Sequence, residues 1–589
     1  TTATDAFNTA VGSNAGLSVT TGVSNTLIGA TAGDALTDAD NNIAVGAESL
    51  SSDTLGSRSI AIGRSALQNQ NFTTATDTYN TAVGYAAGNA VTTGIRNVIV
   101  GGVAGDSLTD ADYNTVVGFD ALGTDTLGSA SVAIGYQALE RQNFTTATTT
   151  YNVAVGFNAG ENVTTGVQNT FIGGLSGDGS TSGTDNVGVG YQSLSGVGIF
   201  QRNTAVGALA GQSVTTGVEN VLIGHEAGDA LTDADYNVAI GSDALGQDTK
   251  GNRNVAIGQE ALSFQNFTTS TDSYNTAVGM SAGRVITTGI SNVLLGGLAG
   301  DALTDADQNV AIGKNAIGSD TLGSQTTAIG HGALAAQNFT TATSSYNVAV
   351  GYEAGKAVTT GIKNTLLGGL AGDAMTTGSE NTFLGYSAGG TGTVTGDDNT
   401  CVGRDAGNNL TSGSNNTLLG HDSGVTGSPG GNINNESNHF CLGDEAIIEL
   451  HCQVALTVAS DERDKTDFVD LDLGLDFVKA LEPVTYYWDK RSKYGDKYAE
   501  DYDLLAQTPD GTHKEDWMDI GFKAQAVRDL EEAAGYTAAA KKNLTVSLTS
   551  DGKQYGLKYE KFIPILVKAI QEQSALITAL TDRIAALEG

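Results

Sequence analysis

The sequence predicts a mainly β protein: a parallel β-solenoid shaft, then a small α+β domain that ends in a coiled coil. Three observations predict it. A phrase made of a polar residue, three apolar or small residues and Gly occurs twenty-five times between Asn8 and Gly443, as in Asn8-Thr9-Ala10-Val11-Gly12 and Asn254-Val255-Ala256-Ile257-Gly258. Most copies begin 17 residues after the last, at Asn8, Asn25, Asn42 and Ser59. After Gly443 the period stops, and both Trp residues, Trp488 and Trp517, fall in the remainder. A short fixed period marks a solenoid, in which each coil buries its face only against the next.

The coils come first. Asn, Thr and Gly at this density are poor helix formers, and the β-branched phrases ending in Gly read as short strand, turn, short strand. Parallel strands about 4.8 Å apart would make twenty-five coils roughly 120 Å long. No Gly-X-Y period exists, so the 79 glycines do not imply collagen. The spacing stretches to 21 at Ser59 to Asn80, Ser131 to Asn152, Asn254 to Asn275 and Thr326 to Asn347. Each stretch carries Gln-Asn-Phe, at Gln70, Gln142, Gln265 and Gln337, read as a coil-widening spacer or a receptor-contacting loop. Three 17s and one 21 make a 72-residue super-repeat with a boundary at Thr1, so the natural protein is expected to continue upstream.

Alternation along the phrase assigns its faces. The fourth position is aliphatic (Val11, Ile28, Val45, Ile62) and is expected to fill the coil. The third, as in Ala10, Leu27, Ala44 and Ala61, is then expected to face outward, yet it too is mostly apolar. Strands apolar on both faces are buried on both. Another copy of the chain must cover the outer face, most simply in a homotrimer with residues such as Ala61, Ala133, Ala256 and Ala311 near its axis.

These Asn-x-Ala-Val-Gly-x-x-Ala-Gly phrases resemble the head of trimeric autotransporter adhesins, in which three β-rolls pack into one shaft. The resemblance spans most of residues 1–443 and implies architecture, not ligand.

Charge narrows the partners. Lys and Arg number 29 against 65 Asp and Glu, a net −36, of which −25 lies before residue 444. Nucleic-acid binders need basic patches, so no nucleic acid is expected. No apolar run is long enough to span a bilayer, so no membrane insertion is expected. Cys401, Cys441 and Cys452 are too few for a disulfide framework, and the first two read as small core residues. Six scattered His lack ligand spacing, so neither a metal site nor a cofactor is expected. A recurring acidic phrase, Asp34…Asp38-Ala39-Asp40 and its counterparts at Asp106, Asp229 and Asp301, reads as turn residues or as Ca²⁺ ligands.

The expected domains are 1–443 as shaft, 444–459 as junction around Leu456-Thr457-Val458-Ala459, 460–560 as the second domain and 561–589 as the coiled-coil helix. Four blocks mark the second part: Ser460-Asp461-Glu462-Arg463-Asp464-Lys465, Leu481 to Trp488, Ile520 to Val527, and Leu557 to Glu572. In this order they resemble the C-terminal intramolecular chaperone, an auto-processing serine peptidase domain, of phage tailspikes and tail fibres. The resemblance implies that the domain nucleates trimer assembly and then cuts the Ala459–Ser460 bond. Ser460 would attack the preceding carbonyl and Lys465 would take its proton, a role open to a lysine only when burial or nearby cations lower its pKa. Two departures bear on cleavage: Asp464 stands where the family has an apolar residue, and Ala526 replaces a Glu. On the residues alone, Ser460 and Asp461 can equally cap a helix.

The last segment spaces Ile563, Leu566, Ile570, Gln573, Ile577, Leu580, Ile584 and Leu587 by alternating threes and fours, which is heptad spacing. Ile and Leu in this pattern lean toward two strands. The resemblance and the shaft both imply three, with Gln573 fixing register; docking on its own domain is the alternative.

The expected function is a structural fibre, a viral (phage) tail or receptor-binding fibre located on the virion, with a host-surface glycan or protein as receptor. The alternative is a cellular surface adhesin or extracellular filament with the same module. At most one self-cleavage per chain is expected as enzymology. A glycan-cleaving tailspike is a third class, and the regularity of the coils argues against its cleft.

Overall fold

The computed structural model describes residues 5–390, 392–454, 457–496, 501–537, 542, 544–549 and 551–589. Thr1 of the super-repeat boundary and Leu456 of the junction lie outside them. Two compact units result, Thr1–Tyr346 and Asn347–Gly589.

In the first unit each phrase becomes a three-residue strand, from Thr9–Val11 to Thr327–Ile329. Successive strands pair in parallel with matched register, as Thr26, Leu27 and Ile28 opposite Ile43, Ala44 and Val45. The closing Gly is required sterically. At Gly118, with φ 146°, a Cβ would lie 2.1 Å from the carbonyl oxygen of Gly135 in the next coil. The turns pass through left-handed residues such as Asn41 (φ 58°) and Glu48 (φ 63°), a conformation that costs roughly 1–2 kcal/mol for L-residues and persists because stacking over-determines it.

The two faces of the phrase are the reverse of the expectation. Third-position Leu27 is 1% exposed, and Ala61, Ala133, Ala256 and Ala311 are fully buried inside their own coils. Fourth-position Ile28 is 39% exposed and Ile62 and Ile172 are similar. The interior is narrow, so it takes Ala and single larger residues such as Leu27, Ile99 and Phe171. The aliphatic fourth residues turn outward with the second-position residues, which are mostly Val, Ile or Thr, forming a stripe on the outer strand face. Alternation separated the two faces; it did not say which was inside.

A buried amide column runs beneath the strands. Asn25 Oδ1 accepts from the backbone N–H of Asn42 at 2.9 Å, and Asn25 Nδ2 donates to the carbonyl of Ala39 at 2.8 Å. The same pair of bonds recurs at Asn237, which accepts from Asn254 N–H and donates to the Gly251 carbonyl, each at 2.9 Å. Fully buried amides are retained because each polar end is bonded. Where Ser59 replaces Asn, the insert of the 21-residue coil supplies the amide. Gln70 Nε2 donates to Ser59 Oγ at 2.8 Å and to buried Asp53 at 2.6 Å, and its Oε1 accepts from Asn80 at 2.9 Å. Asp53, its carboxyl pushed up by burial, also accepts from Phe72 N–H. Phe72, Phe144, Phe267 and Phe339 are buried with it, and the insert adds a second parallel pairing, Gly56–Ser57 with Thr76–Asp77.

The recurring acidic phrase ties coil to coil. Asp110 accepts from Thr93 Oγ1 and Asp112 from Ile95 N–H, both at 2.7 Å. Asp233, Asp235, Asp305 and Asp307 repeat these bonds.

The second unit begins with six more strands, Val348–Val350 to Phe440–Leu442. Cys401 and Cys441 are buried in these coils and unbridged. After them the described residues hold the helices α1 (Leu475–Ala480), α2 (Ala524–Ala533) and α3 (Phe562–Glu588) and the antiparallel pairs Val484–Tyr486 with Asp519–Gly521 and Val546–Leu548 with Tyr555–Leu557. Leu473, Phe477, Val527, Val546, Phe562 and Ile565 form their core. This part rests on the last coils through Lys490 Nζ to the Glu445 carbonyl (2.6 Å) and Asn432 N–H to Asp551 (3.2 Å).

Candidate functional site

The Ser460 block forms a single 3₁₀ turn, Glu462–Asp464, because Asp461 caps it by accepting from the Arg463 N–H at 2.9 Å. Arg463 folds back on Asp461 with its guanidinium at 2.6 Å, which holds that carboxyl below the usual range. The turn returns Lys465 onto Ser460: Nζ donates to the Ser460 carbonyl at 3.1 Å and to its Oγ. The capping role and the Ser–Lys contact therefore coexist, on neighbouring residues. Ala459, Ser460, Asp464 and Lys465 are all exposed.

The other three blocks converge. Val484, Thr485 and Tyr486 pair with Gly521, Ile520 and Asp519. Phe522 stacks on Tyr559 and Phe562, with centroids 6.4 and 5.4 Å apart. The Tyr559 hydroxyl sits close against Gly521, 2.4 Å from where a Cβ would lie. Asp519 accepts from Trp488 Nε1 at 3.2 Å and Tyr486 OH at 3.3 Å, and burial, with the Asp519 charge beside it, pushes the Tyr486 phenol up to about 12. Tyr486, Trp488, Phe522 and Tyr559 line an open groove of about 660 Å³. The Ser460 turn makes no described contact with this cluster.

Residues 460–536 match the family model described as Chaperone of endosialidase. No curated protein and no solved structure matches the chain. The matched segment includes the Ser460 turn and the Val484–Tyr486 and Asp519–Gly521 pair, and it ends before the second strand pair and α3. A β-solenoid carrying this domain fits a tailspike-like fibre protein with an intramolecular chaperone at its C-terminal side.

Sequence reading missed two groups that hold this domain. Buried Glu531 accepts from both the N–H and the hydroxyl of Thr545 at 2.6 Å, and Glu572 caps α1 through the Leu475 N–H at 2.7 Å. A carboxylate at a core-facing helical position was the available signal for Glu531. It also missed a cluster near the last coils. Among the described residues, Asp405, His421 and Asp422 bring donor atoms within 4.8 Å of one another, because stacked coils make residues 17 apart neighbours. His421 Nδ1 lies 2.9 Å from Asp444 and Nε2 meets the Arg404 guanidinium. Both ring nitrogens are thus engaged, and we assign no metal to the group. Among the described residues no helix is long and apolar enough to cross a membrane.

Proposed function

We propose that this chain is the shaft of a homotrimeric fibre, a phage tail or receptor-binding fibre on the virion, folded by its C-terminal chaperone and released from it by one cut at Ala459–Ser460. One observation carries the reading: the outward fourth position of every phrase is aliphatic, as at Ile257, and with the Val, Ile or Thr that mostly stands beside it at the second position, such as Val255 and Thr276, it forms a stripe that the single chain leaves half-open. Parallel solenoids related by a rotation bury that stripe around a shared axis, with the fourth position inward to the axis instead of the third. The heptad face of α3 supports the same reading. Ile563, Ile570, Ile577 and Ile584 are exposed, while Phe562, Ile565 and Ala569 dock on the domain, so the helix serves its own core and leaves its seam for two other copies.

In the cut, Ser460 Oγ adds to the Ala459 carbonyl carbon, and its proton passes to Lys465. The C–N bond breaks as that proton reaches the departing Ser460 nitrogen, leaving an ester. Water then cleaves the ester to an Ala459 carboxylate and restores the Ser460 hydroxyl. Both side chains are exposed in one chain, and a lysine base needs cover. Assembly would supply that cover, which makes the cut follow trimer formation.

Light scattering on the folded protein tests the assembly and should give three chains per particle; a monodisperse monomer refutes it. A cellular surface adhesin with the same module is the second reading, favoured by the adhesin-like phrases. An upstream secretion signal, as opposed to a virion-anchoring domain, would decide for it.

A further inference from the structure

One column of the solenoid, the residue after each closing Gly, carries large exposed aromatics. In the first unit it runs Tyr85, Gly102, Phe119, Tyr136, Phe157, Gly174, Tyr191, as the strand register sets out. The aromatic members are 44–61% exposed. Phe119, Tyr136 and Phe157 stack as a ladder, with centroids 5.8 and 5.2 Å apart and planes within 13° of parallel. The second unit repeats the motif as Tyr352, Gly369, Tyr386.

The glycines in this column are not required by the backbone. Gly102, Gly174 and Gly369 have no left-handed φ, and a Cβ on each would make only ordinary contacts, 3.5 to 3.8 Å, with the ring of Phe119, Tyr191 or Tyr386. What each one does is leave out a ring. Its two aromatic neighbours stand two coil steps apart, about 10 Å, so a ring placed midway would lie about 5 Å from each face, a normal stacking distance. The residue after each of these glycines is aliphatic and half-buried (Val103, Leu175, Leu370), and polar groups flank the gaps (Asp120, Asn158, Gln192, Glu353). Asn158 Oδ1 is buried with no hydrogen-bond partner. Gly297 in the same column, between Met280 and Lys314, lacks the walls and serves as the internal contrast.

We propose that Tyr85/Phe119, Phe157/Tyr191 and Tyr352/Tyr386 are slots that each clamp one hexopyranose ring of a neutral, gluco-configured glycan. A slot with two aromatic faces selects a ring with C–H bonds on both faces. The all-equatorial β-gluco ring has them; galactose and mannose each turn an axial hydroxyl onto one face. The net charge of −36 disfavours anionic sugars. Gly102 and Gly174 lie four coils apart, about 19 Å, so two slots can engage one chain or neighbouring chains with avidity. The proposal deepens the receptor-binding reading by naming the ligand class.

Saturation-transfer NMR on the full chain, with β-1,4-linked glucose, galactose and mannose tetrasaccharides as probes, tests it. The glucose probe should receive saturation and the other two should not. Filling the slots with Gly102→Tyr, Gly174→Tyr and Gly369→Tyr together should weaken binding at least about tenfold with melting unchanged, because Tyr is already accommodated elsewhere in the column. Gly297→Tyr should have no effect. No transfer to the glucose probe, equal transfer to all three, or binding that survives the filled slots overturns the proposal. So does failure of the filled variant to assemble, which would make the slots subunit contacts. Light scattering on the same samples keeps the trimer separate: a trimer that ignores sugar sinks only the slots, and a sugar-binding monomer sinks only the trimer.

Discussion

Lys465 Nζ meets both oxygens of Ser460, donating to the carbonyl at 3.1 Å and to Oγ, across a turn of only five residues. The proposed nucleophile and its proposed proton acceptor are therefore brought together within one local turn. If the cut occurs, denatured protein runs as two bands and the smaller begins at Ser460. Ser460→Ala should leave one full-length band, and Lys465→Ala should slow or stop the cut while three chains remain in the particle. N-terminal sequencing that finds another start, or cleavage that persists in Ser460→Ala, refutes the assignment.

The reversed faces separate folding from assembly. Ala256→Asp puts a charge inside a closed coil, where an unpaired ion costs several kcal/mol, so it should lose β circular dichroism and melting cooperativity. Ile257→Asp places its charge on the half-open stripe, so the coils should fold while light scattering falls toward the monomer. Equal loss of secondary structure in both would return position four to the core.

The amide column predicts a cost in buried hydrogen bonds. Asn237→Ala leaves the backbone bond to Asn220 but removes the amide donor to the Gly251 carbonyl and the amide acceptor of the Asn254 N–H, each worth roughly 1–3 kcal/mol when left unmade. Urea unfolding should move to a lower midpoint with the slope unchanged. A midpoint within error of wild type would make the column incidental.

Two carboxyls give the shaft a pH dependence. Burial, with Glu161 beside Asp178 and Glu226 and Asp243 beside Asp229, raises both to about 6. A carboxyl raised in the folded state favours folding when protonated. This stabilisation is therefore full below about pH 4, the unfolded value, and lost as pH rises through 6. Asp178→Asn should melt higher than wild type at pH 7.5 and at the same temperature at pH 4; the opposite order at pH 7.5 would refute the environment described.

Helix α3 has two apolar edges with different work. Ile565→Asp should unfold the C-terminal domain, since Ile565 lies in its core. Ile577→Asp, on the exposed seam, should leave the domain folded and lower the yield of assembled particles. Sedimentation velocity beside near-UV circular dichroism distinguishes the two.

Much of the fold was legible because a solenoid makes sequence distance and spatial distance the same thing. A 17-residue step is one coil, so the phrase, the inserts and the end of the repeat at Gly443 all read directly. The heptad of α3 was legible from local spacing, whereas the Ser460–Lys465 pairing rested on a family resemblance, because on the residues alone the block could equally cap a helix. The roles of Gln70 and Phe72 were not, because the sequence offered spacer and loop alike and only burial against Asp53 separated them.

From the sequence alone came the period, the strand class and the end of the repeat, all consequences of local spacing, while the pairing of Ser460 with Lys465 was what the resemblance of their block implied. The tertiary structure decided which strand face is inside, that Asn25 and its counterparts form one column, and that Gly102, Gly174 and Gly369 open gaps between aromatic rings. Alternation has period two and is symmetric between faces, so only closure of the coil, whose narrow interior admits Ala61 and turns Ile62 outward, could break that symmetry.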